Sequence, residues 1–148
     1  MKKVLIAYFS LTGKTEKMAG YIAEGIRFSG NLAETKKISA IKSVEDLSGY
    51  DGYIFGSPTY HLDMAEPVKP FLFLAAKAGL EGKPAAAFGS YTHTGNAPGI
   101  IFDTMQYVFK MAPFELNSFK MLEKDVETRD GMRACQDYGR VFGEKLGA

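Results

Sequence analysis

The stretch 4-VLIAYFSLTGKT-15 decides the fold. Its first half is a continuous, partly β-branched apolar run, as a strand buried on both faces requires. Its second half packs two hydroxyls, a glycine, a lysine and a third hydroxyl into six residues. A plain turn needs fewer special residues. Ser10, Thr12 and Thr15 offer hydroxyl groups, and Gly13 lets the backbone approach a ligand or take unusual dihedrals. Residues 14–28 then read as a helix with Thr15, Met18, Ile22 and Ile26 on one stripe. Its free N–H groups and positive dipole end point back into the loop. Strand, loop and helix together form a phosphate cradle that needs little formal positive charge. The loop carries neither G-x-x-x-x-G-K-[ST] nor G-x-G-x-x-G, so it is neither a Walker loop nor the dinucleotide fingerprint. The structural alternative is a strand-to-helix turn in which Ser or Thr caps the helix.

Outward from that stretch, the chain alternates strands and helices. Residues 32–38 read as an outer strand, 53-YIFG-56 and 85-AAAFGS-90 as inner strands, and 114-FELNSF-119 as the final strand. Helical spacing covers 67–78, 99–111 (Ile101, Met105, Val108 and Phe109 inward) and 130–146. The segment 123-EKDVETRD-130 reads as a solvated connection. Right-handed crossovers turn this order into an α/β architecture, a doubly wound parallel sheet with helices on both faces. Ligands of such sheets bind beyond the carboxyl ends of the strands. Three inner strands end there in unusual loops: 10-SLTGKT-15, 57-SPTYHLDM-64 and 89-GSYTHTGNAPG-99. Tyr60 and Tyr91 could sandwich a flat heteroaromatic ring above the cradle by offset stacking.

Composition sets the outer bounds. The 148 residues fit one domain, 1–148, and the net charge of +1 gives no field that points to nucleic acid. The single cysteine, Cys135, excludes an intrachain disulfide and a cysteine metal cluster, and favours a reducing, cytoplasmic setting. No run approaches a membrane span. The apolar run after Met1-Lys2-Lys3 is too short for a signal peptide.

On the motifs S-L-T-G-K-T, 56-GSPTY-60 and 88-FGSYTHTGNAP-98, the chain resembles the flavodoxin-like family of FMN-binding proteins over essentially its whole length. The resemblance implies a five-stranded sheet in the order 2-1-3-4-5. It implies FMN as cofactor, with Ser10, Thr12, Gly13, Lys14 and Thr15 on the phosphate. Pro58, Thr59 and Tyr60 would cover one side of the isoalloxazine. Ser90, Tyr91, His93 and Gly95 would cover the other side and the pyrimidine edge. His61 would stand at the rim, with proton donation near N5 as a minor alternative, and no metal is implied. Electron-carrier flavodoxins place a glycine in the second loop and are strongly acidic; 57-SPTYHLDM-64 has no glycine and this chain is near neutral. The implied function is an electron shuttle that docks transiently with redox partner proteins, Asp63 and Glu66 lowering the flavin potential. The alternative is an FMN-dependent oxidoreductase passing electrons from NAD(P)H to a quinone or another small acceptor. A cofactor-free docking domain on the same fold is the third reading.

Overall fold

The computed structural model describes residues 1–147. In chain order the elements are β1 (Lys3–Tyr8), α1 (Lys14–Phe28), β2 (Leu32–Lys37) and β3 (Gly52–Gly56). A small hairpin follows, β4 (Thr59–Tyr60) and β5 (Asp63–Met64), then α2 (Val68–Ala75) and β6 (Pro84–Tyr91). The chain closes with α3 (Ala97–Asp103), β7 (Ala112–Pro113), β8 (Phe119–Leu122) and α4 (Arg129–Leu146).

The main sheet is parallel, with β1 between β2 and β3, and β6 beyond β3. Both β7 and β8 pair with β6, at its start and its end respectively. Counted as one interrupted strand, they give the expected order 2-1-3-4-5. Val4, Leu5, Ile6 and Ala7 are fully buried, as are Ala85 to Phe88, so the inner strands are apolar on both faces. Right-handed crossovers put α1 on one face and α2 and α3 on the other. Helix α4 packs on α1 so closely that glycine is required at the crossing. A Cβ on Gly25 would lie 1.8 Å from the Gln136 carbonyl oxygen, and one on Gly139 2.0 Å from that of Ile22.

Two elements differ from the sequence reading. The final strand, expected at 114–119, is split, and 114–118 leave the sheet between its halves. Phe114 turns inward, edge-to-face with Tyr138 and Phe142 at 5.2 and 5.1 Å, and Asn117 takes a left-handed turn with φ 63°. The buried Tyr138 hydroxyl reaches the carbonyls of Ala87, at 3.4 Å, and Asn117, so the break leaves no orphaned oxygen there. Burial pushes that phenol's pKa well up. The helix expected at 99–111 starts earlier, at Ala97 with Pro98 in its first turn, and becomes π-helical over 104–108. That widening rotates Val108 into solvent, although Ile101, Met105 and Phe109 face the core as the spacing predicts.

The register levels the strand ends. Tyr8 pairs with Gly56, and Gly56 with Phe88. Phe9 N–H donates to Gly56 O and Ser57 N–H to Phe88 O, each at 3.1 Å. The loops after β1, β3 and β6 therefore emerge side by side on one sheet edge.

Candidate functional site

The loop after β1 is built around Ser10. Its Oγ accepts from the N–H of Gly13 at 3.1 Å and of Glu16 at 3.2 Å, drawing the chain into the first turn of α1. Gly13 sits at φ +92°, a conformation glycine takes without strain, and a Cβ there would meet nothing within 4 Å. The backbone at Gly13 is therefore open to close approach from outside. The N–H groups of Lys14 and Thr15 have no acceptor among the described residues. These are the orphan donors of a helix start, and a phosphate fits them.

The side chains of this loop are engaged elsewhere. Thr15 is buried, and its hydroxyl lies 2.8 Å from the buried hydroxyl of Ser90, tying α1 to β6. Thr12 Oγ1 donates to Glu123 Oε1 at 2.7 Å, and Lys14 Nζ pairs with Glu127. The segment 123–130 is the largely exposed connection into α4 that the sequence suggests, and it also crosses the phosphate loop. It enters as a 3-10 turn, Glu123–Asp125, and leaves into α4 through Thr128, whose Oγ1 accepts from Gly131 N–H at 3.0 Å.

The loop after β3 makes a two-residue hairpin turn. Tyr60 pairs with Asp63, and the central His61 and Leu62 take φ 49° and 66°. Both residues of such a turn need positive φ, which is why Asn-Gly is its usual sequence. His-Leu adopts it at a cost, and strain of this kind gathers at ligand sites. Pro58 and Thr59 are buried, and Thr59 Oγ1 accepts from Ala97 N–H at 2.9 Å, binding the hairpin to the start of α3. Tyr60 is half-buried; burial, and then the nearby Glu123 charge, raise its phenol pKa.

The loop after β6 faces this hairpin across a cavity of about 360 Å³ lined by Thr59, Tyr60, His61, Leu62, Thr92, His93 and Thr94. The cavity is open and flanked on one side by the half-buried Tyr60. His93 lines it, alongside Thr92 and Thr94, which the sequence reading did not single out. Tyr91 stands aside: Lys120 Nζ lies 5.8 Å from its ring centre. A Cβ on Gly95 would crowd Lys120 Cδ at 2.5 Å and the Tyr91 ring at 3.0 Å, so a larger residue there would push these two side chains aside. A larger cleft, about 830 Å³, opens on the other flank of the phosphate loop, between Phe9–Gly13, Lys37–Ser39 and α2.

Asp63 and Glu66 do not act as free charges. Lys69 Nζ sits 2.8 Å from Asp63 and 3.2 Å from Glu66, and its contact holds the Asp63 carboxyl below the usual range. Cys135 is buried, which pushes its thiol up to about 12 and leaves it inert. No group of three or more metal-ligating side chains occurs among the described residues.

An anion-binding helix start beside a flat slot, on the carboxyl edge of a doubly wound sheet, defines a binder of a phosphorylated ring cofactor. The family model of the Flavodoxin domain matches residues 5–130, and the chain belongs to the flavodoxin family. FMN is the cofactor that goes with that membership. A flavodoxin of Clostridium saccharobutylicum is 38% identical over 89 residues, covering 60% of this chain and 55% of that protein. An NAD(P)H dehydrogenase (quinone) of Caulobacter vibrioides is 34% identical, covering 61% of this chain and 57% of that one. The chain thus spans a little over half the length of these curated relatives. Among solved structures, a flavodoxin from the domain Archaea superposes with a TM-score of 0.87 at 25% identity, covering 99% of both chains.

Proposed function

We propose that this chain is an FMN-dependent electron carrier working between redox partner proteins in a reducing, cytoplasmic compartment. The observation that carries the reading is the pair of unpaired N–H groups on Lys14 and Thr15, set on the same sheet edge as the Tyr60–His93 slot. Those N–H groups bind the phosphate, with the Thr12 hydroxyl and Lys14 ammonium as further donors. Ser10 holds the loop in shape, and the Thr15–Ser90 pair fixes the helix against β6. Pro58, Thr59 and Tyr60 orient the ring from one side; Thr92, His93 and Thr94 close the other. Bound FMN supplies the redox chemistry, taking and giving electrons singly or in pairs. Tyr60, with its phenol pKa raised, is neutral at physiological pH and offers an uncharged face. Leu11 and Leu62, 70% and 62% exposed, give partners an apolar rim to dock on without a strong charge requirement.

The likeness to the Caulobacter quinone dehydrogenase supports a second reading, electron transfer from NAD(P)H to a quinone or another small acceptor. One experiment separates the two. Purified protein loaded with FMN is reduced stepwise under a visible spectrum, then mixed with NADPH and a quinone. A flavin spectrum with no steady NADPH consumption supports the carrier. Steady consumption selects the reductase. A colourless protein that takes up no added FMN defeats both.

A further inference from the structure

The strap from Glu123 to Glu127 touches the phosphate loop at two points, both through carboxylates. Each contact takes a donor that an arriving phosphate would use. A threonine hydroxyl has one proton to give, and Thr12 gives it to Glu123 Oε1 at 2.7 Å. Lys14 offers the loop's only side-chain cation, and it is paired with Glu127. The strap is held in place from both ends. Leu122 pairs with Tyr91 at the end of β6, Val126 is fully buried, and Thr128 caps α4. The backbone that carries both carboxylates is therefore held beside the loop.

We propose that Glu123 and Glu127 set the strength and selectivity of cofactor binding, by competing with the phosphate for the Thr12 hydroxyl and the Lys14 ammonium. The inference rests on the FMN reading above. The backbone donors of Lys14 and Thr15 stay free in either case, so the loop binds phosphate but is held below its full strength. Two effects add: the anion must displace carboxylates from its side-chain donors, and it meets their charge. Both displaced groups are partly exposed, with half of the Glu127 side chain accessible, so water takes them up at modest cost. Riboflavin, which lacks the phosphate, displaces neither carboxylate. The strap therefore narrows the preference for the phosphorylated flavin, making the cofactor easier to exchange.

The test titrates the full-length, flavin-free protein with FMN and, separately, with riboflavin, following quenching of flavin fluorescence at low ionic strength. The variants are Glu123→Gln, Glu127→Gln and the double substitution. Glu81→Gln is the control for net charge, since Glu81 is exposed before β6, at the opposite sheet edge. Circular dichroism melts check that each variant folds. The proposal expects FMN to bind about three- to tenfold more tightly to Glu123→Gln, less so to Glu127→Gln, and most tightly to the double variant. Riboflavin affinity and the Glu81→Gln protein should stay within about twofold of wild type. Unchanged or weakened FMN binding in the folded strap variants overturns the proposal, because the carboxylates then support the loop. Equal gains for riboflavin overturn it too, by placing their action on the ring. A wild-type protein that binds neither flavin removes the functional reading itself, whereas FMN binding that ignores the strap removes this inference alone.

Discussion

On the proposed reading, the phosphate loop and the hairpin after β3 perform the two halves of one task by opposite means. The phosphate loop puts its strain on a glycine and its work on the backbone: Gly13 takes φ +92° and the helix start supplies donors. The hairpin puts its strain on His61 and Leu62, at φ 49° and 66°, and its work on side chains. A backbone site is insensitive to most substitutions except those that move the helix. A side-chain site on a strained turn is adjustable, and the turn can give up strain without unfolding the sheet. On the proposed reading, the difference gives anchoring to one region and tuning to the other.

The largest expected effect tests the anchor. Thr15→Val keeps the shape but leaves the buried Ser90 hydroxyl without its partner. The loss should be about 1–3 kcal/mol of unfolding free energy, read from urea denaturation. FMN affinity should fall by about tenfold or more as α1 loosens against β6. Ser90→Ala combined with Thr15→Val should cost less than the sum of the single changes, since the second removes a group already unpaired. Additive costs would mean that the two hydroxyls do not act as a pair.

Gly13→Val comes next. A β-branched residue at positive φ costs about 1–2 kcal/mol or more, although the space above Gly13 is open. The loop should relax toward negative φ and turn its N–H groups away. FMN affinity should drop by about tenfold while the melting temperature moves by only a few degrees. An unchanged titration would show that the phosphate does not depend on this backbone shape.

This contrast also explains what could be read in the sequence. The apolar run to Phe9, the Gly13 turn and the helix after it are local features, each with its cause inside a few residues. They predict β1, the loop and α1 where the structure has them. The strap is a different matter. Nothing within 123-EKDVETRD-130 says that Glu123 and Glu127 will meet residues more than a hundred positions earlier, since their contacts arise from where β8 ends against β6. The split of the last strand was hidden for the same reason: Tyr138, on a distant helix, makes the break tolerable. Positive φ at His-Leu carries no local signal, because turn chemistry expects glycine or asparagine there. Ser90 was legible as a site residue, but its partner Thr15 shows that it works by holding the helix.

On the tuning side, Leu62→Gly should stabilise the protein slightly. Glycine relieves the positive φ, offset in part by its greater freedom in the unfolded chain, for a net gain of about 0.5–1 kcal/mol. Phosphate anchoring should be untouched, so inorganic phosphate should compete with FMN equally well in both proteins. The exposed Leu62 side chain also leaves the docking rim and the wall of the ring slot, so electron transfer to a partner should slow and FMN binding should weaken modestly. A destabilised Leu62→Gly protein would mean that the leucine contacts outweigh the turn strain.

The smallest effect is expected at Asp63, where the hairpin meets α2. Its carboxyl is held below the usual range by the Lys69 contact and by the Met64 N–H. A depressed folded-state pKa contributes stability above the unfolded value, near 4, and that contribution is lost as the pH falls through the folded value. Asp63→Asn removes it at neutral pH and has nothing further to lose in acid. The wild type and the variant should therefore differ slightly in urea midpoint at neutral pH and converge by about pH 3. The ion pair is exposed on both sides, so high salt should shrink even the neutral-pH difference. Lys69 offsets only one of the two carboxylates, so Asp63→Asn removes the cluster's one net negative charge; the three side chains are exposed, and screening by water and salt should keep the rise in flavin potential small. A clear rise in potential on neutralising Asp63 would return that carboxylate to the role its sequence position suggested, and would make the hairpin an electrostatic as well as a steric partner of the ring.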